Sequence, residues 1–271
     1  MRATAGVPHS AEFLLALVIA PLTIIASAGG LAFSGLYREP AGILPAMRGQ
    51  DLVTLAVAPL LLVAAGLAVR GRVRARLIEI GLVGYILYTY AGAAFGYRFN
   101  PFLLIYIALC SMSVVALVVA LRRFEGVDLR IHFDAAAPRR QVAGFLAAVA
   151  AILGVVELGE IGRYLVTGTI PEGVRRAGDA SFFPYVLDLG FVAPLSIAAA
   201  IGLWRDTAWG YALAAVLLIK ATTMGSALLS MNWLMTRAGE APDGLTPFYL
   251  LLTAGGALLS ISFFRHCRQC A

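Results

Sequence analysis

Eight stretches of mainly apolar residues, each close to the length needed to cross a bilayer, constrain this chain more than any other feature. A helix rising about 1.5 Å per residue needs roughly 20 such residues to cross about 30 Å of hydrocarbon. The stretches cover approximately residues 12–35, 51–69, 77–97, 101–121, 141–162, 184–203, 208–235 and 246–264. The connections between them are too short to hold a soluble domain. The expected fold class is therefore all-α, a polytopic membrane helix bundle forming one transmembrane domain over residues 1–271. Composition agrees: 61% of the residues are hydrophobic and 13% charged, whereas soluble domains have roughly 45–50% and about 25%.

The net charge of +6 is spread over short segments between the apolar runs, so it reads as topology rather than as a nucleic-acid surface. Arg2, the clusters Arg70, Arg72, Arg74, Arg76 and Arg122, Arg123, Arg130, Arg139, Arg140, then Arg205, Arg265 and Arg268 fall on one side of the bundle. They outnumber Arg38, Arg48, Arg98, Arg163, Arg175, Arg176 and Arg237 on the other. Because the cytoplasmic side carries the excess of Lys and Arg, both ends are expected inside. The first run, with Arg2 before it and Ala26-Ser27-Ala28 near its end, has a signal-peptide-like outline, but it continues apolar to Leu36 and is long enough to span.

The connector around 122–140 alternates Val127, Leu129, Ile131 and Phe133 with polar residues, which argues against an amphipathic helix. It is expected to be solvated and to meet anionic headgroups. The terminal Cys267 and Cys270 form a C-x-x-C without a second ligand pair, and Cys110 lies in an apolar run. No metal, cofactor or disulfide framework is expected from them, and the tail is expected to fray.

The two halves, about 1–125 and 141–271, carry similar landmarks in the same order. Asp51-Leu52, Ala58-Pro59-Leu60, Gly66-Leu67 and Arg70 are followed in the second half by Asp188-Leu189, Ala193-Pro194-Leu195, Gly202-Leu203 and Arg205. Gly84-Tyr85 then corresponds to Gly210-Tyr211, and Asn100-Pro101-Phe102 to Thr246-Pro247-Phe248. Matched elements are four spans apart, so the expected arrangement is a parallel 4+4 repeat about an axis along the membrane normal.

Ionisable groups inside spans are energetically costly and mark functional sites by default. The sixth and seventh spans form a hairpin, which sets Asp188 about one turn from Lys220 in height and predicts an intramembrane ion pair. Glu157 and Glu160 belong to the outer half of the fifth span, and Asp51, with Arg48 just before it, opens the second. Tyr85 and Tyr88 share the middle of the third span with Thr89 and are expected on one face. Together these residues suggest a polar cavity toward the outer leaflet. The bland alternative is a helix-locking pair at Asp188 and Lys220 and ordinary interfacial charges elsewhere.

Phosphate-binding glycine loops, H-E-x-x-H and G-x-S-x-G are missing from the sequence, and His9, His132 and His266 fall outside the spans. A lysine in the seventh span invites comparison with retinal proteins, but the carboxylate is on the immediately preceding helix and an eighth span follows. The strings Gly35-Leu36-Tyr37-Arg38 and Arg48-Gly49-Gln50-Asp51-Leu52-Val53, with Asn100-Pro101, Asp188-Leu189-Gly190 and Trp209-Gly210-Tyr211, resemble uncharacterised bacterial multi-pass membrane proteins of unassigned activity. That resemblance implies location in a bacterial inner membrane and no substrate.

Three function classes follow. A small-solute transporter or permease fits the repeat, the prolines Pro59 and Pro194 and the buried pair. A structural or sensory membrane protein fits the lack of catalytic motifs, and an enzyme acting on a lipid or quinone would need Glu157 or Glu160 as acid or base. The expected partners are the lipid bilayer and a small molecule, with a homo-oligomer or another membrane protein left open.

Overall fold

The computed structural model describes residues 9–124, 127–178 and 183–268. Eight helices long and apolar enough to span a membrane account for most of them. They are α1 (His9–Ala32), α2 (Leu44–Val69), α3 (Val73–Gly96), α4 (Leu103–Arg122), α5 (Arg139–Thr167), α6 (Phe183–Trp204), α7 (Ala208–Arg237) and α8 (Thr246–Arg265). A short helix, Glu172–Arg176, lies between α5 and α6. Arg2 and Cys270 lie outside the described residues.

Two apolar cores divide the bundle. One joins α1 to α4 around Ile19, Leu61, Ile86 and Leu109, and the other joins α5 to α8 around Leu146, Leu203, Leu218 and Phe263. Helices α3 and α7 connect them, since Leu77 contributes to the second core and Met224 and Ala227 to the first. Close approach at this seam depends on missing side chains. A Cβ on Gly49 would lie 2.5 Å from Met231 Cα, and one on Gly81 would lie 2.5 Å from Ile219 Cβ. Small residues are what allow helix backbones to meet within a membrane, where lipid is as apolar as the helices themselves. Elsewhere the bundle turns Leu104, Val155, Leu165, Val166 and Leu258 outward, which suits a lipid-facing perimeter.

Several expectations change. Helix α2 starts at Leu44 with a proline in its first turn, after a single 3-10 turn over Ala41–Ile43. Arg48 and Asp51 are therefore well inside the helix rather than at its start. Pro59 lies within α2 without breaking it. Pro194 has a different setting: the preceding residues Asp188–Val192 form a wide π turn. A proline at 194 offers no N–H to the carbonyl four residues back and its ring crowds that group, and a wider turn relieves both problems. A second π turn, Leu251–Gly255, widens α8 where it presses on α7 at Gly225.

The repeat landmarks are only partly level. Pro59 and Pro194 each stand ten residues before the last residue of their helices, Val69 and Trp204. Gly84 is the twelfth residue of α3 and Gly210 the third of α7, so those two dipeptides lie at different depths. Counted from the helix starts, Tyr85 and Lys220 share the thirteenth position.

The connector is not solvated throughout. Its alternation sends Leu129 and Phe133 inward and leaves Val127 and Ile131 exposed. Phe133 sits between Tyr211 and Phe263, at centroid distances of 4.7 and 4.6 Å. It also forms an isolated antiparallel bridge with Cys267, while Arg268 N donates to His132 O and Asp134 N to His266 O. The tail is thus fastened through Arg268 rather than frayed, and Cys267 is fully buried.

Candidate functional site

The only lysine of the chain reaches across from α7 to α6. Lys220 Nζ stands 3.9 Å from Asp188 Oδ1, at the first residue of the π turn, and 4.1 Å from the centroid of the Tyr88 ring on α3. Tyr88 Oη donates to the other carboxylate oxygen, Asp188 Oδ2, at 3.0 Å. Glu157 on α5 is buried near the same carboxyl, with its Oε2 left without a hydrogen-bond partner. Four helices thus place one ammonium, two carboxyls and a phenol around a single point.

Charge arithmetic gives this cluster its chemistry. One cation cannot neutralise two ionised carboxylates, and an uncompensated charge in a medium of low dielectric is energetically costly. Lys220 adds a further asymmetry: its ammonium has three donors, yet no acceptor among the described residues lies at hydrogen-bond distance, the nearest carboxylate oxygen being the one at 3.9 Å.

Tyr88, Asp188 and Lys220 border a cavity of about 160 Å³ between the two halves. Gln50, Tyr88 and Thr89 line it from the first half, and Asp188, Ser196 and Lys220 from the second, with Met224, Met231 and Phe248 among its apolar walls. Gln50 Nε2 donates to Thr89 Oγ1 at 3.0 Å, joining α2 to α3 at the cavity edge.

The remaining sequence candidates lie elsewhere. Tyr85 and Thr89 face α2, where Tyr85 and Thr54 hydroxyls are 2.8 Å apart, whereas Tyr88 turns toward α6 and α7. Tyr85 and Tyr88 therefore do not share a face. Asp51 belongs to a second cluster, in which Tyr37 Oη donates to Asp51 Oδ2 at 2.6 Å and Tyr37 meets Tyr97 edge-on at 5.8 Å. Burial, with Tyr97 and Asp51 close by, holds the Tyr37 phenol well above its ordinary value, so it stays a donor. Arg48 is exposed, and Glu160 accepts from Tyr185 Oη toward the end of α5. Glu79 is buried near Glu12 and Arg76 at the arginine-rich end of the bundle.

Tyr37, Gln50, Phe183, Ser196 and Phe248 are not among the site residues expected from the sequence. Gln50 carries a usable signal, a polar residue beside Asp51, but it falls before the expected span start at 51, whereas the helix begins at Leu44. The π turn left no signal except Pro194. Among the described residues no group of three or more His, Cys, Asp and Glu side chains is arranged to hold a metal.

Comparison with models of protein families, with curated proteins and with solved structures returns no match.

Proposed function

We propose that this chain is a small-solute transporter of the permease type, whose substrate site is the cavity between its two halves. The observation that carries this reading is the loose Lys220–Asp188 pair at 3.9 Å with Glu157 beside it, bordering that cavity. A pair that served only to lock α6 to α7 would be expected to close to hydrogen-bond distance, because the desolvation of both ions is otherwise poorly offset. Here the ammonium keeps its donors for an acceptor on a ligand.

The helix architecture supports the same reading. A bundle with two cores meeting at a central cavity suits parallel 4+4 repeats, and an interrupted helix at the binding site is a recurring feature of such transporters. In this proposal the chain lies in a bacterial inner membrane with both ends in the cytoplasm, and the Asp188 cluster opens toward the outer leaflet. Tyr85 occupies in α3 the place Lys220 occupies in α7, so one half supplies a neutral hydroxyl where the other supplies a charge.

The test compares cells producing the native protein, Lys220→Met or Asp188→Asn by untargeted metabolite profiling, followed by uptake into vesicles of any solute that responds. The native protein should shift the level of at least one solute class, and both variants should lose the shift while still purifying as monodisperse protein. Profiles that do not differ between the native protein and monodisperse variants, or variants that aggregate, would return the pair to a purely structural role.

A further inference from the structure

Lys220 and Tyr88 also form the floor of a second, larger space. A cleft of about 1150 Å³ opens between α4 and α6, with α3 and α7 as its back wall. Phe95, Val114, Val186, Phe191, Leu195 and Trp209 line it, and all are substantially exposed at the lipid-facing surface. Apart from Tyr88 and Lys220, the lining is almost wholly apolar. Leu217 and Val192 border the cleft and the polar cavity alike, so the charged cluster is a partition between them.

An opening that is apolar along its length and cationic at its end matches one kind of molecule. A hydrocarbon chain removes the cleft walls from contact with disordered lipid, and an acidic head reaches the unused donors of Lys220. The head is limited to a single charge, since Asp188 and Glu157 stand beside the ammonium and a phosphate dianion would meet two acids for one cation. A carboxyl head fits better, because it brings a single negative charge and two acceptor oxygens to the one ammonium.

We infer that the cleft between α4 and α6 admits a long-chain carboxylate sideways from the bilayer, with its tail along α3 and α7 and its head on Lys220. This rests on the transport reading above and names its substrate class. The arrangement would let an amphiphile enter the polar cavity without crossing water, which accounts for one set of side chains facing both spaces.

Trp209 in the cleft wall provides the readout. The full chain carrying Trp204→Phe and Trp233→Phe is placed in lipid nanodiscs and titrated with a dibrominated C18 fatty acid, which quenches tryptophan on contact. Saturable quenching is expected, reversed by unlabelled C18 fatty acid but not by acetate or by the C18 alcohol. Lys220→Met should weaken it roughly tenfold or more, the loss expected for a charge-assisted hydrogen bond, and Lys220→Arg should restore most of it. Gly84→Phe, which fills the cleft one helical turn from Tyr88, should abolish saturable quenching while the protein stays monodisperse.

Quenching that rises linearly with lipid partition, that the alcohol reverses equally, or that ignores both Lys220→Met and Gly84→Phe would overturn the inference. The two readings separate cleanly. Absence of saturable binding alongside Lys220-dependent solute uptake removes the amphiphile and leaves the transporter, whereas saturable binding without movement of the fatty acid between vesicle leaflets removes the transporter and leaves the site.

Discussion

Asp51 and Asp188 are both helical aspartates followed by leucine, and their surroundings give them different roles. Asp51 accepts from Tyr37 in a closed aromatic cluster, and Gly30 makes that closure fit, because a Cβ there would run into Asp51 Oδ2 and Tyr37 Oη. Gly30→Ala should therefore destabilise the protein by about 1–3 kcal/mol, the range for overpacking, seen as a lower Tm in detergent. An unchanged Tm would show that the cluster is looser than its hydrogen bond implies. Asp188 faces Lys220, and there the cost comes from charge rather than volume. Lys220→Met alone leaves a buried carboxylate without its cation, on the order of 3 kcal/mol, and adding Asp188→Asn should recover part of the lost Tm. If the double variant is as unstable as the two single losses combined, the groups do not interact. The pair itself was legible in the sequence, because two ionisable residues in a helical hairpin have calculable heights. Tyr37 was not, since it lies in a loop and no periodicity announces where a loop side chain will go.

The hairpin joining α6 to α7 shows how much an element depends on its turn. Asp206 sits in that turn with a left-handed backbone, φ 55°, a conformation that only glycine, asparagine and aspartate adopt with ease. It accepts from Tyr211 at 2.9 Å and pairs with Arg139 at 2.5 Å, tying α5 to the turn. The Tyr211 hydrogen bond, with Arg139 second, holds its carboxyl below the usual range. A carboxyl lowered on folding adds stability above its unfolded value, about 3.9, and that stability is lost as pH falls through the lowered folded value. Asp206→Asn keeps the backbone preference and removes the charge. Native protein should be the more stable at neutral pH, and the Tm difference should close as pH drops below about 4; a gap that persists at low pH would point to geometry rather than ionisation. Helix existence at this scale was readable from hydropathy, because about 20 apolar residues in succession have few other fates. Helix starts and the π turn were not. They depend on where polar backbone groups find partners, and at Asp188–Val192 that depends on a proline later in the helix.

Across the whole molecule, the apolar interior is divided into two cores, one centred on α1 to α4 and one on α5 to α8. Each half buries its own apolar centre, and the seam between them, where α2 and α3 pack on α7, is extensive and close-packed at glycines, with Gly49 against the Met231 backbone and Gly81 against Ile219. The connector belongs energetically to the second half, since Leu129 and Phe133 are buried among α5, α7 and α8. A cut between residues 125 and 126 should therefore leave each piece with its core and its packing ends intact. Co-produced pieces 1–125 and 126–271 should insert separately and co-purify through a tag on one of them. Gly49→Leu should break that co-purification by forcing α2 off α7, while leaving the yield of each piece alone unchanged. Pieces that are degraded when produced singly yet remain bound despite Gly49→Leu would mean the halves fold only as one unit, and that the seam is held by surfaces other than α2 on α7. The fatty-acid cleft sharpens the same experiment, because its walls come from both pieces, α3 and α4 from one and α6 and α7 from the other. Saturable quenching of Trp209 should thus appear only in the rejoined complex.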